Sequence, residues 1–364
     1  MVATDSYAGG DGRLSPLSTP SATRAVLEAH GIGTKYTLGQ NFLVNDDVLK
    51  KIIALAEVGE NDRVLEVGPG IGTLTIALLK HAASVIAIER DPDLPAVLAD
   101  TLHPWREKFA LIEKDALDVT RDDIVAAMVE IGGDTGYPDR ASSAANETAQ
   151  WAVSQSEDCL SESGYPVAPP QEDLQLSLPS KLVANLPYAV AATVVLDYFE
   201  SFPFLDSATI MVQKEVADRM VAAVGTKNYG AYTVKLGLYA EPAGRFAVGP
   251  GNFFPPPRVD SAVIRLNRRV PLMADGAPAS PEVIAAAALM ADAAFTNRRK
   301  TIANSCKTYF SGRGPILLGV ADSSAAEGAP TIALPDGAAT AERLPAIFEA
   351  AAIDPRRRGE TLTQ

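Results

Sequence analysis

Cysteine and histidine are scarce in this chain. Of its 364 residues only Cys159 and Cys306 are cysteines, and they lie far apart; His30, His81 and His103 are scattered. Two distant cysteines exclude a disulfide framework and suit a reducing compartment. Three histidines without ligand spacing give no reason to expect a metal. There is no apolar run long enough to cross a bilayer. The first 24 residues lack the basic start and apolar core of a signal peptide. A cytoplasmic protein with no membrane partner is the expectation, with residues 1–34 a flexible N-terminal extension.

Hydrophobic residues make up 47% of the chain and charged residues 21%, enough for a real core. The length suits one large and one smaller domain. A net charge of −13 argues at first against a polyanionic partner. Its distribution argues the other way: residues 181–315 carry a balance of +5, while residues 131–180 carry −7. The local field governs docking of a nucleic acid more than the sum does.

What the chain does have is a glycine-rich corner. In VLEVGPGIGTLT, Val64–Thr75, an apolar run meets Glu66, then Gly68-x-Gly70-x-Gly72, then a helix-like pattern. A buried strand, a tight turn and a helix start in this order form the nucleotide-holding corner of a doubly wound α/β sheet. Nicotinamide, flavin and S-adenosylmethionine sites all use such turns. The spacing here departs from the Gly-x-Gly-x-x-Gly of nicotinamide enzymes.

The apolar pattern predicts strands at Arg63–Val67, Ser84–Glu89, Phe109–Glu113, Lys181–Leu186 and Ala208–Gln213. Arg245–Val248 and Ser261–Leu266 read as an antiparallel edge hairpin. Helical spacing covers Ser21–Ala29, Val48–Ala56, a segment opened by Asp91-Pro92, Ile124–Ile131, Val190–Phe199, Glu215–Val224 and Tyr229–Tyr239. The proline-rich Asn252–Val259 is expected to be irregular. Residues 132–180, rich in Ser, Ala, Gly, Pro and acids, read as a disordered insertion in a domain spanning 35–267. Residues 268–364 read as a helical C-terminal domain, with helices at Pro281–Phe295, Arg299–Tyr309 and Ala341–Ala352, loop at Ser311–Thr340 and a polar tail.

Several residues point to chemistry. Glu89, ending the second strand, sits where a carboxylate accepts from ribose hydroxyls, although an exposed strand-end acid fits equally. Asp115, ending the third, suits an adenine amino group, or equally a helix cap. Asn185-Leu186-Pro187-Tyr188 is more specific. An adenine amino group is a poor nucleophile because its lone pair is delocalised into the ring. Two acceptors, the Asn185 side-chain carbonyl and the Leu186 main-chain carbonyl, would bind both its hydrogens and aim the lone pair at a methyl donor. Tyr188 offers a face for the base to stack on. Phe253-Phe254-Pro255-Pro256-Pro257-Arg258 could hold an aromatic opposite Tyr188, or be only an edge loop.

Taken together, GQNFL at 39–43, LEVGPGIGTLT at 65–75, IERD at 88–91, NLPY at 185–188, QKEVADRM at 213–220, FFPPPRVDSAVIRL at 253–266 and FTNRRKTIANS at 295–305 resemble the bacterial small-subunit ribosomal RNA adenine dimethyltransferases. The resemblance implies a Rossmann-like class I methyltransferase sheet and S-adenosyl-L-methionine as cofactor. It implies 16S rRNA in the 30S subunit as substrate, with two adjacent adenosines near its 3′ end dimethylated by a monomer with no metal. Asn41 and Leu43 would close over the cofactor, beside Gly68, Gly70, Glu89, Asp115 and Asn185. Asn185 and Leu186 would orient the amine, and Tyr188 with Phe253 would sandwich the base. Lys214, Arg219, Arg258, Arg298, Arg299 and Lys300 would contact RNA backbone, where a merely solvated basic face fits equally. The nearest rival is a 23S rRNA methyltransferase of the antibiotic-resistance type; another is a ribosome-assembly factor whose catalysis is dispensable. The 132–180 insertion has no place in the resemblance.

Overall fold

The computed structural model describes residues 12–34, 40–132, 178–273, 275–311, 317–319, 331–333 and 337–362. The strands that position the site are β1 (Phe42–Leu43), β2 (Arg63–Val67), β3 (Ser84–Ile88), β4 (Phe109–Ile112), β5 (Lys181–Asn185), β6 (Ser207–Gln213), β7 (Ala240–Val248), β8 (Phe253–Phe254) and β9 (Ser261–Arg268). Among the described residues, seven of these form one sheet in the order β4-β3-β2-β5-β6-β9-β7. β2 to β6 run parallel; β9 returns antiparallel to β6, and β7 antiparallel to β9.

Parallel strands buried on both faces need apolar residues on both, and the centres of β2, β3 and β5 supply them, with Glu66 the exception. The two-residue period then sorts neighbours to opposite faces. Leu65, Val67, Ile86, Ile88, Leu182 and Ala184 enter one core with Tyr198 and Phe199 of the helix Ala191–Ser201. Val64, Val85 and Val183 enter the other, with the helices Asp46–Ala56, Thr73–Leu79 and Leu94–Thr101. Strand order reverses between β2 and β5, so their carboxyl ends diverge and leave a crevice, where ligands of such sheets bind.

Several expectations need correction. The flexible lead-in is not what residues 12–34 form. Leu17 is 1% exposed, the Leu14 main-chain N–H donates to Asp46 Oδ1 at 2.8 Å, and Thr19 caps the helix Pro20–Ala29. The helix expected from Asp91-Pro92 starts at Leu94, because the Asp91 side chain is occupied holding the turn through the Asp93 N–H. β7 begins at Ala240, five residues before the predicted strand; Pro242 is tolerated because an edge strand needs no donor on its outer side. The proline-rich loop is not wholly irregular. Its Phe253 and Phe254 pair antiparallel with Leu43 and Phe42.

The C-terminal part has its own small core of Ala293, Cys306, Phe310, Leu344 and Phe348. Within the segment expected to be loop, Leu317–Gly319 pairs with Thr331–Ala333. The polar tail packs inward: Ile302 N–H donates to the Arg357 carbonyl at 2.7 Å and Tyr229 Oη to the Leu362 carbonyl at 3.0 Å. The insertion at 133–177 lies outside the described residues. No described helix is long and apolar enough to cross a membrane.

Candidate active site

A cavity of about 460 Å³ occupies the crevice at the carboxyl ends of β2 to β6. Its floor is the glycine turn. Gly68 has φ +71°, its N–H donates to the Ile88 carbonyl at 2.9 Å, and a Cβ there would stand 3.6 Å from the Pro187 ring. The strand end that carries Asn185 thus lies against the turn. Gly70 has φ +61°, and a Cβ there would come within 3.1 Å of the Phe42 ring. Both positions need glycine, the second for space as well as conformation.

Residues 40–43 form a strap over the cavity. It is tied at one end by Gln40 Nε2 donating to Asp91 Oδ2 at 2.6 Å. At the other, β1 pairs with β8, and Asn45 Nδ2 donates to Asn252 Oδ1 at 2.8 Å. Asn41 and Leu43 line the cavity as part of this strap.

Three carboxylates face the cavity. Glu89 is buried, and its Oε1 accepts the main-chain N–H groups of Arg90 and Asp91, each at 2.9 Å. Burial raises its pKa, and these donors, with that of Gly70, oppose the rise. Asp115 is more open; its Oδ1 caps the turn through the Leu117 N–H at 3.1 Å, and its Oδ2 takes Arg90 Nη1 at 2.7 Å. Capping and a place on the cavity wall therefore coexist in one side chain. Glu66 is 1% exposed, and its Oε2 has no partner among the described residues. Burial pushes its carboxyl up to about 8 against the opposing Thr75 hydroxyl, and nearby Glu89 adds to the rise. The sequence reading gave Glu66 no role. The available signal was an ionisable residue inside a strand otherwise apolar on both faces.

At the end of β5, Asn185 Nδ2 donates to the Asn41 carbonyl at 3.2 Å. That bond leaves the Asn185 side-chain carbonyl as the acceptor available to a ligand. The Leu186 N–H donates to the Met211 carbonyl at 3.1 Å, which anchors the motif to β6. Tyr188 Oη is bonded to Ser261 Oγ at 2.5 Å, so its ring is fixed from β9. Burial raises its pKa, against that bond.

Phe253 is the correction here. It is 3% exposed and belongs to the core under the strap, and it does not line the cavity. Pairing with Leu43 turns it inward, and alternation leaves Phe254 half-buried beneath the Arg24 guanidinium, 5.2 Å from its ring centre. The basic residues are exposed but not equally available. Lys214 pairs with Asp218 at 2.9 Å, and Arg219 with Glu215 at 3.7 Å. Arg298 binds Glu360 Oε2 at 2.8 Å and the Thr226 carbonyl at 2.9 Å, holding the tail. Arg258, Arg299 and Lys300 are exposed.

The donor set fits a nucleoside with a charged amino-acid end. It offers a clamped carboxylate for ribose, an orphaned buried carboxyl oxygen for a cationic group, and apolar side chains of Ile88, Leu94 and Ala116 for a base. Among the described residues no cluster of His, Cys, Asp or Glu is placed to hold a metal ion.

The family model of ribosomal RNA adenine dimethylases matches residues 33–329 of this chain. The ribosomal RNA small subunit methyltransferase A of Staphylococcus aureus (strain Newman) is 32% identical over 348 residues, which cover 95% of this chain and 92% of the relative. Its namesake in Staphylococcus epidermidis matches at the same identity and coverage. Among solved structures, a dimethyladenosine transferase from Plasmodium falciparum aligns with a TM-score of 0.54 at 20% identity, over 88% of this chain and 92% of that one. The 23S rRNA methyltransferase ErmE aligns with a TM-score of 0.50 at 19% identity, over 89% and 95%. At these identities the two structures speak to the fold, a Rossmann-like class I methyltransferase sheet.

Proposed function

The chain belongs to the ribosomal RNA adenine dimethylase family, and from that premise we propose that it dimethylates the 6-amino groups of two adjacent adenosines near the 3′ end of 16S rRNA in the small ribosomal subunit. It is an S-adenosylmethionine-dependent enzyme. The 32% identical relatives named for the small subunit support that target over 23S rRNA, because the likeness to ErmE is one of fold.

The observation that carries the chemistry is the Asn185 side chain, held by the Asn41 carbonyl with its own carbonyl left over. When bound, S-adenosylmethionine supplies a methyl group activated by its sulfonium. Glu89 would hold the ribose, Asp115 the adenine edge, and Glu66 the ammonium end. Gly68 and Gly70 keep the floor low, and Asn41 and Leu43 close the roof. The target adenosine is turned out of its helix to stack on Tyr188. Asn185 Oδ1 and the Leu186 carbonyl accept the two amine hydrogens and orient the lone pair. Among the described residues no side chain beside Asn185 is a strong base, so the proton passes to water. The chain's contribution is position more than bond chemistry.

Lys214, Arg219, Arg258, Arg299 and Lys300 are proposed to meet RNA backbone. Arg298 is left out because its guanidinium is engaged twice within the chain. We place the domain boundary just after β9, one residue beyond the expected 267/268 because Arg268 is bound to the Phe199 and Phe202 carbonyls, and the separate C-terminal core supports it. The proposal takes the enzyme as a monomer, and a ribosomal substrate supports a cytoplasmic site of action.

The test is methyl transfer from labelled S-adenosylmethionine to undermethylated small subunits, mapped by mass spectrometry. Dimethylation of adjacent 16S adenosines is the expected result. Label only in 23S rRNA overturns the target. An Asn185→Ala protein that still restores growth to a deletion strain would favour the assembly-factor role.

A further inference from the structure

Beside the first cavity lies a second, of about 420 Å³, and Gln213 lines both. Gln213 is the last residue of β6, at the carboxyl edge of the sheet. In the sheet register it stands opposite Ser261, the residue whose hydroxyl fixes Tyr188. Its backbone position is set by the neighbouring Lys214 N–H, which donates to the Asp260 carbonyl at 2.9 Å. The Gln213 side chain is half-buried and, among the described residues, its carboxamide has no hydrogen-bond partner. A carboxamide with a donor and an acceptor both available is suited to a base edge.

The wall of the second cavity is polar and mixed in charge. Asp218 is shared between Lys214 at 2.9 Å and Arg245 at 2.7 Å, and Glu215 lies 3.7 Å from Arg219. These two acids are therefore answered from within the protein. Arg258, exposed on the same wall, has no ionic partner among the described residues. Asp260 completes the wall with an acceptor. Gln213 belongs to the walls of both cavities, so a strand with one base in the first has a path over that rim for its next phosphate and base.

We propose that the second cavity seats the nucleotide adjoining the target adenosine, with Arg258 on the intervening phosphate and Gln213 bonding to the neighbouring base. This rests on the RNA-methylating reading above and adds a residue to it: Gln213 becomes a specificity determinant that couples the two positions. Because the polarity of the strand is fixed, the second cavity holds the neighbour on one side of the target only, so Gln213 acts on one adenosine of the pair.

The experiment compares full-length wild type, Gln213→Ala, Arg258→Ala and Arg258→Lys on undermethylated small subunits. It measures KM, kcat, salt dependence and the methyl count at each adenosine, with cofactor affinity by calorimetry. For Gln213→Ala and Arg258→Ala, KM for the subunit should rise about tenfold, the size of one lost specific contact, with cofactor affinity unchanged. Arg258→Ala should also lower the logarithmic salt slope by about one, and Arg258→Lys should keep it. Gln213→Ala should leave one adenosine of the pair undermethylated. An active wild type whose two alanine variants keep its KM and methyl distribution overturns the inference alone. A wild type that methylates no rRNA overturns the functional reading, and this inference with it.

Discussion

Asn185 Nδ2 donates to the main-chain carbonyl of Asn41, 144 residues away in sequence, at 3.2 Å. One bond therefore joins the strap over the cavity to the residue that would orient the target amine. It also decides which end of the Asn185 amide faces the cavity. Closure of the strap and correct presentation of the acceptor are the same event.

From this relationship, Asn185→Ala should lower kcat about a hundredfold, comparable with losing one preorganised polar group at a reacting centre. Cofactor affinity should fall only a few-fold, since the strap keeps its Gln40–Asp91 bond and its pairing with β8. Single-turnover methyl transfer and calorimetry separate the two quantities. Equal losses in both would mean that Asn185 serves the cofactor and not the amine.

Glu66 should make stability depend on pH. Burial lifts its carboxyl to about 8 in the folded protein, from 4.5. A carboxyl raised on folding binds its proton more tightly in the native state. Its contribution is full below about pH 4.5 and is lost as pH rises through about 8. Glu66→Gln keeps the neutral shape and removes the titration. The variant should gain on the wild type by on the order of 3 kcal/mol between pH 5 and pH 9 in urea melts. Parallel curves for the two proteins across that range would contradict the buried, neutral Glu66.

Tyr188 is held by its hydroxyl and would work through its ring. Tyr188→Phe loses only the bond to Ser261 and should cost severalfold in kcat/KM. Tyr188→Ala removes the stacking face and should cost about 10- to 100-fold, chiefly through RNA affinity. Ser261→Ala should match Tyr188→Phe, and the double variant should be no worse than either single one. Additive losses would show that the hydroxyls act separately.

Phe253 and Phe254 should part company. Phe253→Ala removes a core ring and should destabilise the protein by about 3–5 kcal/mol in denaturant melts. Phe254→Ala, at a half-buried position, should cost about 1–2 kcal/mol, mostly from the lost contact with Arg24. The reverse order would restore Phe253 to the cavity wall.

Much of this was legible in the chain. The five parallel strands announce themselves because strands buried on both faces carry apolar residues on both, as the centres of β2, β3 and β5 do. Glu89, Asp115 and Asn185 could be found because sheet topology alone brings strand ends to one edge. Phe253 was misread because Phe-Phe-Pro-Pro-Pro gives two adjacent rings and no period to tell them apart. The pairing with Leu43 that turns one inward comes from a segment more than 200 residues upstream. The ordered lead-in was missed for a similar reason. Leu14 and Leu17 look like isolated apolar residues in a polar stretch until Asp46 offers the Leu14 and Ser15 backbone an acceptor and Leu17 is buried behind them.

By itself the sequence determined the doubly wound sheet, the glycine turn and the carboxylate and amide residues at its strand ends, because periodicity and turn chemistry are local. The tertiary structure decided which of those residues are available. It buried Glu66 with an oxygen left over, engaged Arg298 with Glu360, and turned Phe253 away. It also set Gln213 between two cavities and fixed the Asn185 amide by a distant carbonyl. Those outcomes depend on partners remote in the chain, and a residue's pKa, exposure and orientation are properties of its neighbours as much as of itself.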